Sequence, residues 1–159
     1  MPDAKRTFVL ANTLKNGPFD SREAFLTSFE KCSAEVAKLS DGVVDSLIGK
    51  YPPRLLDYNR AAWRFDILDL SECCVWPHMG ARPWAQGRVT NVAELFKKHE
   101  PPDSRVWDMK QFADIFSSRL PVIALKRPTG IRIDDGSHRA VAMALTGMRR
   151  VSAWIGTFS

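Results

Sequence analysis

Cysteine is scarce: the chain has three in 159 residues, two of them adjacent at Cys73 and Cys74. An odd count without paired C-x-x-C spacing argues against a disulfide framework and a zinc ribbon, and leaves buried free thiols in a reducing compartment as the expectation. Histidine is equally rare. His78, His99 and His138 share no HxxxH or HExxH spacing, so a dedicated transition-metal site is not expected. Long apolar runs are missing as well, because arginines and acids interrupt every stretch that could approach a membrane span. The opening MPDAKRTFVLANTLKNG lacks the long apolar centre of a secretory signal. There is no repeat and no low-complexity tract. These absences point to a cytoplasmic protein with no membrane span.

What is present fits a folded chain. Hydrophobic residues make up 45% and charged residues 26%, enough for one domain, alone or with a small appendage. The net charge of +5 favours a polyanionic partner such as nucleic acid or nucleotide. The arginines carry more of that signal than the total does. Arg54, Arg60, Arg64, Arg82, Arg88, Arg105, Arg119, Arg127, Arg132, Arg139, Arg149 and Arg150 all lie beyond residue 50. A guanidinium fork suits bidentate phosphate recognition better than an ammonium.

Asn16-Gly17-Pro18 is a turn or linker signal. Ser21 to Leu39 then reads as an amphipathic helix, because Phe25, Phe29, Cys32, Val36 and Leu39 recur at steps of three and four. Asp20 or Ser21 can cap it. Asp41-Gly42 breaks it, Val43 to Ile48 forms a shorter helix, and Tyr51-Pro52-Pro53 stops that one. Phe65 to Trp76 opens with the alternation of a strand. PHMGARPWAQGRVT follows as a long loop, a kind of segment that often carries function. Asn91 can cap a helix through Lys98, and Asp103 to Ser118 reads as another. Leu120 to Leu125 is a buried strand by composition, and Thr129-Gly130 turns the chain into a second strand at Ile131–Ile133. A helix from Arg139 to Thr146, a Gly147 C-cap and a strand over Val151–Ile155 complete the order. This predicts an N-terminal helical segment over 1–60. An α/β (α+β) domain over 61–159 follows, a small mixed sheet with one face covered by helices.

IDDGSHRAVAMALTG, Ile133 to Gly147, crowds polar chemistry into the seam between strand and helix. The first turn of a helix exposes backbone N–H groups without intrahelical partners, at the positive end of the dipole. Gly136 lets the chain turn sharply and lets a ligand approach. Ser137, His138 and Arg139 can then donate to a phosphate. As a first-turn residue, Arg139 is expected to be exposed and to contribute little to stability. Asp134 and Asp135 would repel a bare phosphate, and fit better as ligands of a phosphate-bound Mg²⁺ or as acceptors orienting Arg139 and His138. The competing reading is a plain turn in which Asp135 or Ser137 caps the helix. Spacing alone leaves both open.

DGSHRAVAMALTGMRRVSAWIG (Asp135–Gly156), preceded by LPVIAL and a short strand, resembles the core of the ParB/sulfiredoxin superfamily. That core has a strand, a Gly-x-(His/Arg)-Arg turn, an alanine-rich helix, a small loop and a closing strand. The similarity covers Trp63–Gly156, is most specific over Asp135–Arg139, and leaves the N-terminal segment unmatched. It implies a ParB/sulfiredoxin-like fold whose turn binds the phosphates of a nucleotide such as ATP. Members include CTP-hydrolysing partition proteins, free-serine kinases, sulfiredoxins, DNases and plasmid fertility-inhibition factors. Sulfiredoxins carry a catalytic cysteine where this chain has Ser137, so peroxiredoxin repair is not expected. Partition proteins carry Glu and Arg in place of Ser137 and His138 and continue into a helix-turn-helix, whereas this chain stops at Ser159; site-specific partition is not expected either. A kinase would need a catalytic acid, for which Glu94 and Glu72 are the candidates.

The resemblance thus implies an ATPase and metal-dependent DNase of the bacterial cytoplasm. Like the fertility-inhibition members, it would block conjugative DNA transfer through a type IV secretion channel, with secretion or relaxosome components as partners. Gly136, Ser137 and His138 would cradle phosphate, Arg139 would stabilise its charge, and Arg88 would approach from the loop. Asp134 or Asp135 would hold Mg²⁺ or another divalent cation, or position water. The catalytic set is Asp134, Asp135, His138 and Arg139. Arg82, Trp84, Gln86 and Arg88 interleave cationic and aromatic groups, as nucleotide or single-strand binding often requires. Arg82, Trp84 and Arg88 are the candidates for weakly sequence-specific DNA binding, although Trp84 fits loop packing at least as well. Two other readings compete: a non-catalytic nucleotide- or DNA-binding module whose N-terminal helices dock a partner, and a small-molecule kinase.

Overall fold

The computed structural model describes residues 3–14, 20–76 and 79–159. They fall into two compact units, Met1–Ala62 and Trp63–Ser159.

The first unit is helical: α1 (Ala4–Leu14), α2 (Arg22–Ala37), α3 (Asp41–Ile48) and α4 (Pro52–Arg60). Ser21 caps α2, its Oγ accepting from the Ala24 N–H at 3.1 Å, and Ser40 caps α3 in the same way. Two helices were not anticipated. In α1, Phe8, Val9, Leu10, Ala11 and Leu14 are buried, so the helix is covered around most of its circumference and shows no one-sided apolar period in the sequence. At α4, Pro52 and Pro53 end one helix and begin the next, since a missing N–H costs nothing in a first turn. Arg6 joins α1 to the end of α2, donating to Val36 O at 2.6 Å and Leu39 O at 2.9 Å. A cation is favoured there by the negative end of the helix dipole. The turn signal at Asn16-Gly17-Pro18 lies outside the described residues.

The second unit is mixed. Its strands are β1 (Ala62–Asp69), β2 (Cys73–Cys74), β3 (Val122–Arg127), β4 (Gly130–Asp135) and β5 (Arg150–Thr157). Its helices are α5 (Val89–His99), α6 (Arg105–Met109), α7 (Ala113–Arg119) and α8 (Ser137–Leu145). The strand foreseen over Phe65–Trp76 is split by a turn in which Asp69 Oδ1 accepts from the N–H and hydroxyl of Ser71, at 2.8 and 2.6 Å. The helix foreseen over Asp103–Ser118 is broken by a 3₁₀ turn at Lys110–Phe112. Arg88 rather than Asn91 precedes α5.

The sheet order is β1-β5-β3-β4-β2, with β3 antiparallel to β4, β3 parallel to β5 and β2 parallel to β4. This is the expected mixed sheet. Val122 to Leu125 of β3 are all buried at its centre. In β5, Val151, Ala153 and Ile155 are buried while Ser152 and Trp154 stay partly open, so one face is better covered. Helix α8 rests on β3, and α5, α6 and α7 pack onto α8. Cys73 is buried and Cys32 and Cys74 are half-buried; all three are free thiols. Burial pushes the Cys73 thiol up to about 12, which makes it inert. Among the described residues, no helix is long and apolar enough to cross a membrane.

Candidate functional site

The turn that opens α8 is built by the end of β4. Between Ile123 and Ala124 of β3 the pairing jumps from Asp135 to Ile133, so Asp134 is the extra residue of a β-bulge. A bulge re-aims the side chains around it. Asp134 is buried, and Asp135 is half-buried at the strand's end. The N-cap of α8 is Gly136, at φ 100° and ψ 20°, not Asp135 or Ser137. Only glycine adopts this conformation at little cost, and it brings no side chain to cover the first-turn N–H groups.

Ser137 and Arg139 face inward. Ser137 is 6% exposed, and its Oγ accepts from the Trp76 N–H at 2.9 Å, which ties the loop after β2 to the first turn. The Arg139 side chain is only 10% exposed, so the expectation of an exposed arginine is corrected. Its guanidinium folds back beneath the turn. Nη2 donates to Pro121 O at 3.1 Å, and Nη1 lies 3.5 Å from Asp135 Oδ2. A guanidinium can satisfy a carbonyl and a carboxylate at once, and here it binds the start of α8 to the start of β3.

His138 is exposed. Arg82 Nη1 approaches its Nε2 at 3.3 Å. Arginine can only donate, so this contact requires a lone pair on Nε2 and places the ring proton on Nδ1. Desolvation, then the charges of Arg82 and Arg105, hold the imidazole below its ordinary value, while Glu100 pulls the other way. Arg82 is fixed from behind by Glu100, with Nε 2.8 and 2.9 Å from the two carboxylate oxygens and Nη2 2.5 Å from Oε2. The Glu100 side chain is 4% exposed, and its bond to Arg82 holds the carboxyl below the usual range. Glu100 went unnoticed in the sequence, and Arg105 counted only as one of the basic residues beyond position 50. Neither sits in a motif, and only the packing of α5 and α6 on α8 brings them to His138.

The long loop is closed at its base, where Cys74 pairs with Arg88 and the Val75 N–H donates to Gly87 O at 2.9 Å. Trp84 packs edge-on against Phe96 at 5.0 Å and at a tilt against His99 at 5.4 Å, in a loop-packing role. Gln86 donates to Pro83 O at 3.1 Å within the loop. Arg88 is exposed at the start of α5. Arg82, in contrast, is held by a carboxylate. Of the two acids considered for a kinase, Glu94 pairs with Lys97 at 2.9 Å on an open helix face and Glu72 is exposed in the β1–β2 turn. His78 lies outside the described residues.

Among the described residues, no three His, Cys, Asp or Glu side chains group as a metal site would need. Asp134 and Asp135 are at most a partial donor set, and Asp135 already faces a guanidinium. A magnesium ion here would draw most of its ligands from nucleotide phosphates and water. Compared with protein families, curated proteins and solved structures, the chain matches none.

Proposed function

We propose that the Trp63–Ser159 unit binds nucleotide phosphates at the turn opening α8 and hydrolyses the bound nucleotide or a DNA phosphodiester. The observation that carries this reading is the geometry of His138, which stands on the first turn of α8 with its Nε2 3.3 Å from Arg82 Nη1. The N–H groups of Ser137 and His138 sit at the positive end of α8, where a phosphate is favoured. Arg105 adds charge from α6. The Ser137 hydroxyl accepts from Trp76 and keeps its own O–H to donate. His138 Nε2 can exchange its long contact with Arg82 for a water and take that water's proton as the water attacks phosphorus, while the P–O bond to the departing phosphate or sugar oxygen breaks and that oxygen leaves with the electron pair. When bound with the nucleotide, Mg²⁺ would neutralise phosphate charge, with Asp134 and Asp135 the side chains nearest to contribute. Arg139 acts as a positioning residue under Gly136 rather than as the group that grips the ligand.

The wider reading keeps the resemblance: a cytoplasmic bacterial factor like the plasmid fertility-inhibition protein Osa, which acts on nucleotide and DNA to block conjugative transfer through a type IV secretion system. One observation favours the non-catalytic module instead, since Ser137 and Arg139 already have partners inside the fold. Radiolabelled ATP, CTP and plasmid DNA, each with and without Mg²⁺, separate the two. The hydrolase reading expects turnover that His138→Gln abolishes while nucleotide binding persists. Binding without turnover leaves the module; neither binding nor turnover rejects the site.

A further inference from the structure

We infer that β1 is a self-association surface and that its partner is a second copy of this chain, paired antiparallel across the open edge of the sheet. β1 is terminal in the strand order, and among the described residues no strand pairs with it on the side away from β5. Phe65 and Ile67 are 45% and 55% exposed, a level unusual for large apolar side chains in a strand.

The main chain shows which residues face outward. The Ile67 N–H donates to the carboxylate of its own neighbour, Asp66 Oδ1, at 2.7 Å, so it is not spent on β5. Alternate residues of a strand point their N–H and C=O the same way. Phe65 therefore turns its main-chain donor and acceptor to the open edge with Ile67.

The side chains choose both the partner and the register. With a two-fold axis at Phe65, that residue exchanges both main-chain bonds with Phe65 of the second copy. Arg64 then lies opposite Asp66 of the second copy, and Asp66 opposite its Arg64, as directly facing pairs of the closer, non-hydrogen-bonded kind. Ile67 falls opposite Trp63 of the second copy, so one face carries an apolar row and the other two ion pairs. Moving the axis to Arg64 or to Asp66 sets like charges face to face. A one-residue slip sets a charge against an apolar side chain. Within one chain Arg64 Nε lies 3.6 Å from Asp66 Oδ2, both well exposed, so pairing trades a weak local contact for two across the edge. A single strand edge is a small surface, and the association is weak and concentration-dependent.

Sedimentation equilibrium of the full chain over a wide concentration range tests this, with circular dichroism confirming that each variant is folded. The wild type is expected to dimerise. Arg64→Asp and Asp66→Arg each create two like-charge pairs and should weaken the dimer on the order of tenfold or more. The double variant R64D/D66R restores complementarity and should regain the dimer. Hydrogen exchange gives a second readout, with the Phe65 and Ile67 amides protected at high concentration and not at low. A chain that stays monomeric to its solubility limit overturns the proposal. A dimer indifferent to the single reversals, or one the double variant fails to rescue, overturns it as well.

Discussion

Arg139 Nη2 lies so close to Gly136 that a Cβ built on the glycine would stand 2.7 Å from it. The same Cβ would come within 3.0 Å of Val122 Cγ1, and the backbone there has a φ of +100°. Glycine is thus required at this position twice over, by conformation and by space. Gly136→Ala should destabilise the protein by about 2–4 kcal/mol, combining left-handed strain with the displaced guanidinium. Gly147 is the control. It also has a positive φ, but nothing lies within 4 Å of its would-be Cβ, so Gly147→Ala should cost only about 1 kcal/mol. Urea titration of both variants checks the difference, and equal losses would refute the packing of Arg139 under the turn.

Arg139→Ala should lower stability by about 2–3 kcal/mol, because it strips a charge-assisted donor from Pro121 O and the cation from Asp135. Nucleotide affinity, measured well below the variant's melting temperature, should fall modestly and indirectly. A fully stable Arg139→Ala chain would return the residue to the surface role first expected of it.

The sheet and α8 were legible because their signals are local. Apolar runs, the Thr129-Gly130 turn and the glycine before an alanine-rich helix each lie within a few residues. The sharp turn at Gly136 was legible too, since it needs a residue without a side chain. The direction of the side chains around it was not. Whether Arg139 points out or in depends on the bulge at Asp134 and on where Pro121 places its carbonyl, which no spacing encodes. Glu100 and Arg105 become neighbours of His138 only after α5 and α6 pack on α8. The Arg82–Glu100 pair spans eighteen residues of sequence and belongs to the same class of tertiary information.

His138 gives a pH dependence of definite sign. Its folded-state value lies below its ordinary 6.5, so between those two values the unfolded chain binds more protons. Stability should fall as pH drops through that window, and the contribution should vanish above it. His138→Gln should remove the slope. In an NMR titration of the imidazole, Arg82→Ala should raise the His138 midpoint, and Glu100→Gln should lower it further. Shifts in the opposite directions would refute the contacts assigned to the ring.

Arg82 and Arg88 should differ in what their loss does to the fold. Arg82→Ala leaves the covered Glu100 carboxylate without its cation, at a cost of about 2–3 kcal/mol. The figure is below that of a fully enclosed pair because Arg82 keeps 23% of its side chain in water. Arg88→Ala, at an exposed position, should stay within about 0.5 kcal/mol of wild type. Thermal denaturation of the two variants side by side is sufficient, and equal stabilities would mean that the Glu100 pair contributes nothing.

DNA affinity should depend strongly on salt and weakly on sequence. Phosphate contacts supply affinity without sequence information, and each one releases counterions. With three to five phosphates neutralised, log K should fall against log salt with a slope of roughly −3 to −4.5 on duplex DNA. The loop arginines no longer count alike in that sum. Arg88 is exposed and available to a phosphate, so Arg88→Ala should flatten the slope by about 0.9 on any duplex. Arg82 is bound to Glu100, and a phosphate would have to compete with a carboxylate that already satisfies its fork. In a folded Arg82→Ala variant, the slope should therefore stay close to wild type. Titrating two unrelated duplexes from low to physiological salt measures all three quantities at once. Equal flattening by both variants would show Arg82 released from Glu100 in the complex. A large preference for one duplex, or an affinity indifferent to salt, would remove both arginines from any DNA-binding role.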